Sequence, residues 1–264
     1  MAQGDRNDNS TKRSGSGNYI ELAKKPLHTL LFLLPLILFY ELGSTFFLSE
    51  HVAGQVETIR AYRIIGDVFR FLGATGSPVM ERVPSVLIVV TLAAWHILNR
   101  DTTRIKPKAL LGMALESFLW AVPLIVLLQL ATGIAGGLMA PVAEVGTGQL
   151  ASLPTSSLAV ISVGAGLYEE LLFRLIGITA LHLLIVDFFG AKDKHGTALA
   201  IGIVAIAFAL YHDRNDTAAV VTYLCAGVYF GFVFVSRGFG IVVATHALYN
   251  LAVTIVLPML SSRG

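Results

Sequence analysis

The sequence predicts an all-α fold, a polytopic transmembrane helical bundle of seven to eight spans, and three observations predict it. Of 264 residues, 55% are hydrophobic and 14% are charged, where a soluble domain carries about 25% charged residues. Mean hydropathy is +0.73. Apolar runs recur at the length that crosses a bilayer as a helix, about 17 to 25 residues. The Lys and Arg side chains are grouped between those runs.

In chain order, residues 1–24 are polar and rich in Gly and Ser, and are expected to form a disordered tail. No apolar core follows the start directly, so this is not the pattern of a signal peptide, and neither MAQG nor SSRG is a lipidation motif. Spans are predicted near 27–48, 83–98, 109–131, 157–185, 198–212, 217–235 and 239–259. The second and fifth are short, and 157–185 is long enough to be tilted or broken. A weakly amphipathic stretch at 54–72 is a further helix, lying on the membrane or entering it. The spans divide into an N-terminal transmembrane set, 25–156, and a C-terminal core, 157–259.

Orientation follows from the cations. With the N-terminus in the cytoplasm, the inner side holds Arg6, Lys12, Arg13, Lys24, Lys25, Arg100, Arg104, Lys106, Lys108, Lys192, Lys194 and Arg237. The outer side holds Arg60, Arg63, Arg70, Arg82, Arg214 and Arg263. Twelve against six favours that orientation under the positive-inside rule. The net charge of +2 decides nothing by itself. No internal repeat is visible, and no basic patch is interleaved with aromatics, so nucleic acid is excluded as a partner. The single Cys225 lies in a predicted span and is expected to be a small buried hydrophobe.

The stretch GLYEELLFRLIG, residues 166–177, breaks the apolar pattern with Glu169, Glu170 and Arg174. A charge at mid-span costs roughly 2.5 to 3.5 kcal/mol on the insertion scale, so three cost on the order of 8 to 10. The apolar remainder of the span gives back about as much. That helix must turn its charged face into the bundle, where such residues mark functional sites by default. Glu170 and Arg174 are four apart and share a face, the acid N-terminal to the cation. Glu169 is turned about 100° away. The alternative is one buried ion-pair network that only joins helices.

Two more polar pairs lie in the last third. FALYH sets Phe208 four residues before His212, and HALYN sets His246 four before Asn250. His28, His51, His96, His182 and His195 lie in loops or near span ends and carry no such pattern. His212 and His246 sit on different helices and can converge with Glu169. Two neutral imidazoles and a carboxylate with an open fourth position form the ligand set of catalytic zinc, which makes hydroxide available near neutral pH. Without metal, a buried carboxylate can act as general base to a water. The Asn250 amide offers a donor to a developing oxyanion. These parts suit amide hydrolysis in the membrane.

At these residues the sequence resembles the CAAX prenyl protease and bacteriocin-processing (CPBP) family of intramembrane metalloproteases, of the type II CAAX prenyl endopeptidase kind. Three ordered motifs carry the resemblance: EExxxR at Glu169–Arg174, FxxxH at Phe208–His212 and HxxxN at His246–Asn250. It covers roughly residues 157–259, and residues 25–156 match only as generic membrane helices. The resemblance implies a bundle of about eight transmembrane helices, with the site among the later ones. It implies that Glu169 activates water and that His212 partners it in holding metal or water. His246 and Asn250 would hold the other side of the site and the oxyanion. Glu170, Arg174 and Phe208 would be supporting residues, and Glu169, His212 and His246 the ligands of a divalent metal, zinc by expectation. Many members carry glycine after the motif arginine, where this chain has Leu175. Gly227 and Gly231, four apart, would let two helices approach closely near the site.

The leading expectation is therefore an intramembrane endopeptidase acting on a membrane-embedded or lipid-anchored protein or peptide. Its place would be the lipid bilayer of a bacterial plasma membrane, as a multi-pass protein. The alternatives are a non-catalytic scaffold or peptide-immunity protein of the same fold, and a small proton-relaying transporter. A transporter would show paired halves with matching broken spans, and none is visible. Glu41 and Glu116 lie in predicted spans outside the motifs and are expected to be partnered or near an interface.

Overall fold

A computed structural model describes residues 18–48, 59–73, 83–100, 104–134, 153–212 and 217–261. All regular structure among them is helical. Six helices are long and apolar enough to cross a membrane, and a further one, Pro84–Leu98, is apolar but shorter. These are the seven predicted windows. The fifth reaches back to Asp193, which gives it 19 residues where the hydropathy alone marked a short run.

Local chemistry sets the boundaries. Helix α1 (Tyr19–Lys24) stops because Lys25 precedes Pro26 and is held extended, at φ −71° and ψ 135°. Pro26 then opens α2 (Pro26–Gly43) at a position where no N–H is needed, and a π-helical turn continues it to Leu48. Residues 1–17 of the expected tail lie outside the described residues, while its last six are helix α1 rather than disordered chain. Part of 54–72 forms α3 (Arg60–Phe71), with Val68 and Phe71 exposed on it. Helices α4 (Val83–Leu98) and α5 (Pro107–Ile134) complete the N-terminal set.

The long window is not broken. Helix α6 starts at Thr155 and runs 34 residues to Phe188. It changes register instead: it is α-helical over Thr155–Glu169 and π-helical over Glu170–Ile178 and Leu183–Phe188. After it come α7 (Asp193–Tyr211), α8 (Thr217–Arg237) and α9 (Phe239–Leu251), the last continued by further turns to Ser261.

The bundle is inverted relative to a water-soluble protein. Leu111, Leu115, Phe118 and Leu119 of α5 face outward, while Glu169, Glu170, Arg174, His246 and Asn250 are buried. Helix α9 is the most enclosed, with 61% of its apolar window buried against 22% for α2, α5 and α6. It packs on α6, α5 and α8. Two glycines let helices meet main chain to main chain. A Cβ on Gly166 would stand 2.8 Å from the Ala247 backbone nitrogen, so α6 and α9 touch through main chain one turn before Glu169. A Cβ on Gly227 would stand 2.9 Å from Ala205 Cα, joining α7 to α8, and Gly231 lies against Ile201. The close approach expected from Gly227 and Gly231 is therefore made between α8 and α7. Cys225 is exposed, contrary to expectation: α8 turns Tyr223, Ala226 and Phe230 inward, which leaves the Cys225 side outward.

The N-terminal set is tied to α6 behind the site. Tyr168 meets the rings of Tyr40 and Tyr62 edge-on, both at 4.9 Å. Ser85 donates to Glu41, so the Tyr168 hydroxyl donates to Ser85. Glu41 is thus partnered, as expected. At one end of the bundle the Lys24 ammonium donates to the Val235 carbonyl (3.0 Å) and the Lys106 N–H to His28 Nε2 (3.4 Å). Lys24, Lys25, Arg100 and Lys106 gather there, with Arg104 and Lys108 flanking Lys106 in the chain.

Candidate active site

The three motifs meet. Glu169 Oε2 lies 3.9 Å from His212 Nε2 and 3.8 Å from His246 Nε2. All three side chains are almost fully buried, at 1%, 3% and 6%. Glu169 is the fifteenth residue of α6, His212 caps the end of α7 and His246 is the eighth residue of α9. A uniform count of 1.5 Å per residue puts His246 at a different depth from the other two. The three nevertheless meet, because α7 terminates at the site with the His212 side chain buried.

Both histidine tautomers follow from their partners. His212 Nδ1 lies 2.7 Å from the Phe208 carbonyl, which can only accept, so Nδ1 carries the proton. His246 Nδ1 lies 2.7 Å from Glu170 Oε1, and that carboxylate is ion-paired to Arg174 Nη1 at 3.0 Å, so Nδ1 again donates. Each ring therefore turns the Nε2 lone pair toward Glu169. A carboxylate or carbonyl behind a histidine fixes its orientation and tautomer in this way.

Glu170 accordingly does two things. As expected it pairs with Arg174, and in addition it orients His246, which spacing within one helix did not reveal. Arg174 is fully buried; its guanidinium donates to the Gly227 carbonyl (3.4 Å) and lies over the rings of Phe208 (4.3 Å) and Phe230 (5.2 Å). It holds α6, α7 and α8 together around the site. The change to π-helical register begins at Glu170, and such bulges recur at functional sites.

Aromatic side chains wall the histidines. Tyr223 stacks on His212 at 3.8 Å and Phe230 on His246 at 4.5 Å, each with planes 20° apart. With Tyr249, Ala226 and Asn250 they line a cavity of about 20 Å³ that also contains Glu169, Phe208, His212 and His246. That is room for about one water and no more. Sequence reading missed Tyr223, Phe230 and Tyr249. The signal for the first two was their seven-residue spacing on α8, which puts them on one face.

Outside the site, Glu116 accepts from Arg237, Tyr19 (2.6 Å) and Trp120 (3.1 Å), so it is a structural acid. His182 pairs with Asp193 at 3.0 Å, and His51 lies outside the described residues.

The donor set can be tested against zinc. Tetrahedral zinc with bonds of about 2.0 to 2.2 Å needs ligand atoms about 3.3 to 3.5 Å apart. The two measured separations are 3.8 and 3.9 Å. No group of three His, Cys, Asp or Glu among the described residues is placed to hold a metal ion. The donor types suit the metal; their present spacing does not.

The fold and site define a helical membrane protein with a buried carboxylate and two oriented imidazoles around a cavity the size of a water. Residues 151–252 match a family model described as type II CAAX prenyl endopeptidase Rce1-like. All three motifs fall within the match. No curated protein and no solved structure matches the chain.

Proposed function

We propose that this protein is an intramembrane endopeptidase in which Glu169 activates a water to cleave a peptide bond of a membrane-embedded or lipid-anchored substrate. The observation that carries the reading is the convergence of Glu169 Oε2 with two Nε2 lone pairs, 3.8 and 3.9 Å away, beside a cavity sized for a water. The protease family domain over the same residues supports it.

Glu169 accepts a proton from the water as its oxygen attacks the peptide carbonyl. The water's second O–H can donate to one of the two Nε2 acceptors, which orients it. The Asn250 amide donates to the oxyanion that forms, in a place where bulk water cannot compete. The C–N bond then breaks and Glu169 returns the proton to the departing amine. A divalent metal, zinc for this donor set, belongs to the proposal, and Glu169, His212 and His246 are the residues that would hold it. Bound there, it would supply a Lewis acid and hydroxide near neutral pH. The N-terminus is proposed to lie in the cytoplasm of a bacterial cell, with the basic end of the bundle on that side.

The test is cleavage of membrane-anchored peptides by the purified protein, with metal content and chelator sensitivity measured on the same sample. Glu169→Gln should abolish turnover with the fold intact, and Asn250→Ala should lose about 10²- to 10³-fold in rate. His212→Ala and His246→Ala should each lose metal and activity. Chelator-resistant activity in a metal-free sample removes the metal and keeps the protease. Full cellular function in all four variants would leave a non-catalytic scaffold of the same fold.

A further inference from the structure

At the basic end of the bundle is a concave groove of about 480 Å³, lined by Glu21, Lys24, Lys25, Pro26, Trp95, Asn99 and Arg100. We infer that this groove binds the phosphate-bearing headgroup of an anionic phospholipid. Three cations against one acid give the lining a formal charge of +2. Its level in the fold is that of a membrane boundary: Pro26 is the first residue of one apolar span, and Leu98 is the last of the apolar helix α4. Trp95 is half exposed at the groove, as expected of an aromatic ring at the headgroup level. Ile20, Ile97 and Leu98 are exposed beside these residues in the chain, apolar surface suited to acyl chains.

The fold fixes the Lys24 ammonium and the backbone positions of Lys25 and Arg100. Lys24 is tied to the Val235 carbonyl at 3.0 Å, Lys25 is fixed extended before Pro26, and Arg100 takes a left-handed backbone (φ 46°) that ends α4 and is uncommon outside glycine. Basic pockets between transmembrane helices at the cytoplasmic face are suited to anionic headgroups, with each cation contributing about 1 kcal/mol, or about fivefold in affinity. This groove is separate from the candidate active site and shares no lining residue with it.

Only Trp95 and Trp120 are tryptophans, so Trp120→Phe makes Trp95 the sole reporter. The full chain carrying that change is placed in nanodiscs containing a brominated phosphatidylglycerol or a brominated phosphatidylcholine in a non-brominated phosphatidylcholine background. Stronger Trp95 quenching by the anionic lipid is expected, with the preference falling about tenfold or more in Lys25→Gln/Arg100→Gln. A control reversal, Lys194→Glu, should leave the preference unchanged. Equal quenching by the two lipids, or a preference that survives in Lys25→Gln/Arg100→Gln, overturns the inference. Equal quenching by the two lipids together with a Trp95 emission change on adding inorganic phosphate at constant ionic strength assigns the groove to free phosphate and overturns the lipid. Lysine-to-glutamine changes keep the side chain's apolar stem, and circular dichroism checks that the variant is folded.

Discussion

Two Glu–Arg pairs among the described residues are built to opposite specifications. Glu116 and Arg237 join α5 to α8 near the bundle end, with side chains 18% and 11% exposed. Every group is met: Arg237 donates twice, and Tyr19 and Trp120 supply two more donors to the same carboxylate. Glu170 and Arg174 are four apart on one helix and wholly buried. There, Glu170 Oε2 and Arg174 Nε have no hydrogen-bond partner among the described residues, and three aromatic rings surround the guanidinium. A clamp made for stability satisfies its polar atoms at the edge of the bundle. A buried pair left partly unsatisfied is a poor source of stability, and its second task, orienting His246, explains its position.

The largest expected effect comes from Arg174→Met, which leaves the Glu170 charge buried without its cation. It should cost about 3 to 5 kcal/mol of stability, read by denaturant or SDS unfolding, and remove activity. If it costs no more than a change at Arg237, the two pairs are equivalent and the contrast fails. Next is Glu170→Gln. The amide oxygen can still accept from His246 Nδ1 but carries no charge, so activity should fall about 10- to 100-fold, the usual loss when the group behind such a histidine is weakened. Glu170→Leu, which removes the acceptor too, should fall further. Equal rates for Gln and Leu would show that His246 does not depend on this contact.

Arg237→Gln should sharpen the comparison from the other side. With the pair part-exposed, about 1 to 2 kcal/mol of stability should be lost, and specific activity per folded molecule should stay at the wild-type level. A large activity loss without unfolding would connect this clamp to the site. The smallest effect is expected for Tyr223→Leu, which removes the ring stacked on His212. A loss of about 0.5 to 1.5 kcal/mol, less than or near tenfold in rate, is expected in a peptide-cleavage assay.

The sequence alone determined the composition class, the positions of seven apolar helices and the residues able to carry chemistry. It could do so because bilayer thickness and the cost of burying charge act on each segment separately. The pairing of Glu170 with Arg174 was legible for the same reason, since both lie on one helix. Only the tertiary structure decided that the second oxygen-to-nitrogen contact of Glu170 goes to His246, that Tyr223 and Phe230 cover the histidines, and that α7 ends inside the bundle at His212. Those relations join different helices, and no periodicity within one segment encodes which neighbour it meets. The π-helical register from Glu170 onward and the outward turn of Cys225 belong to the same class. They follow from main-chain contacts such as Gly166 against Ala247, where the distance between two helices is set by what both present at once.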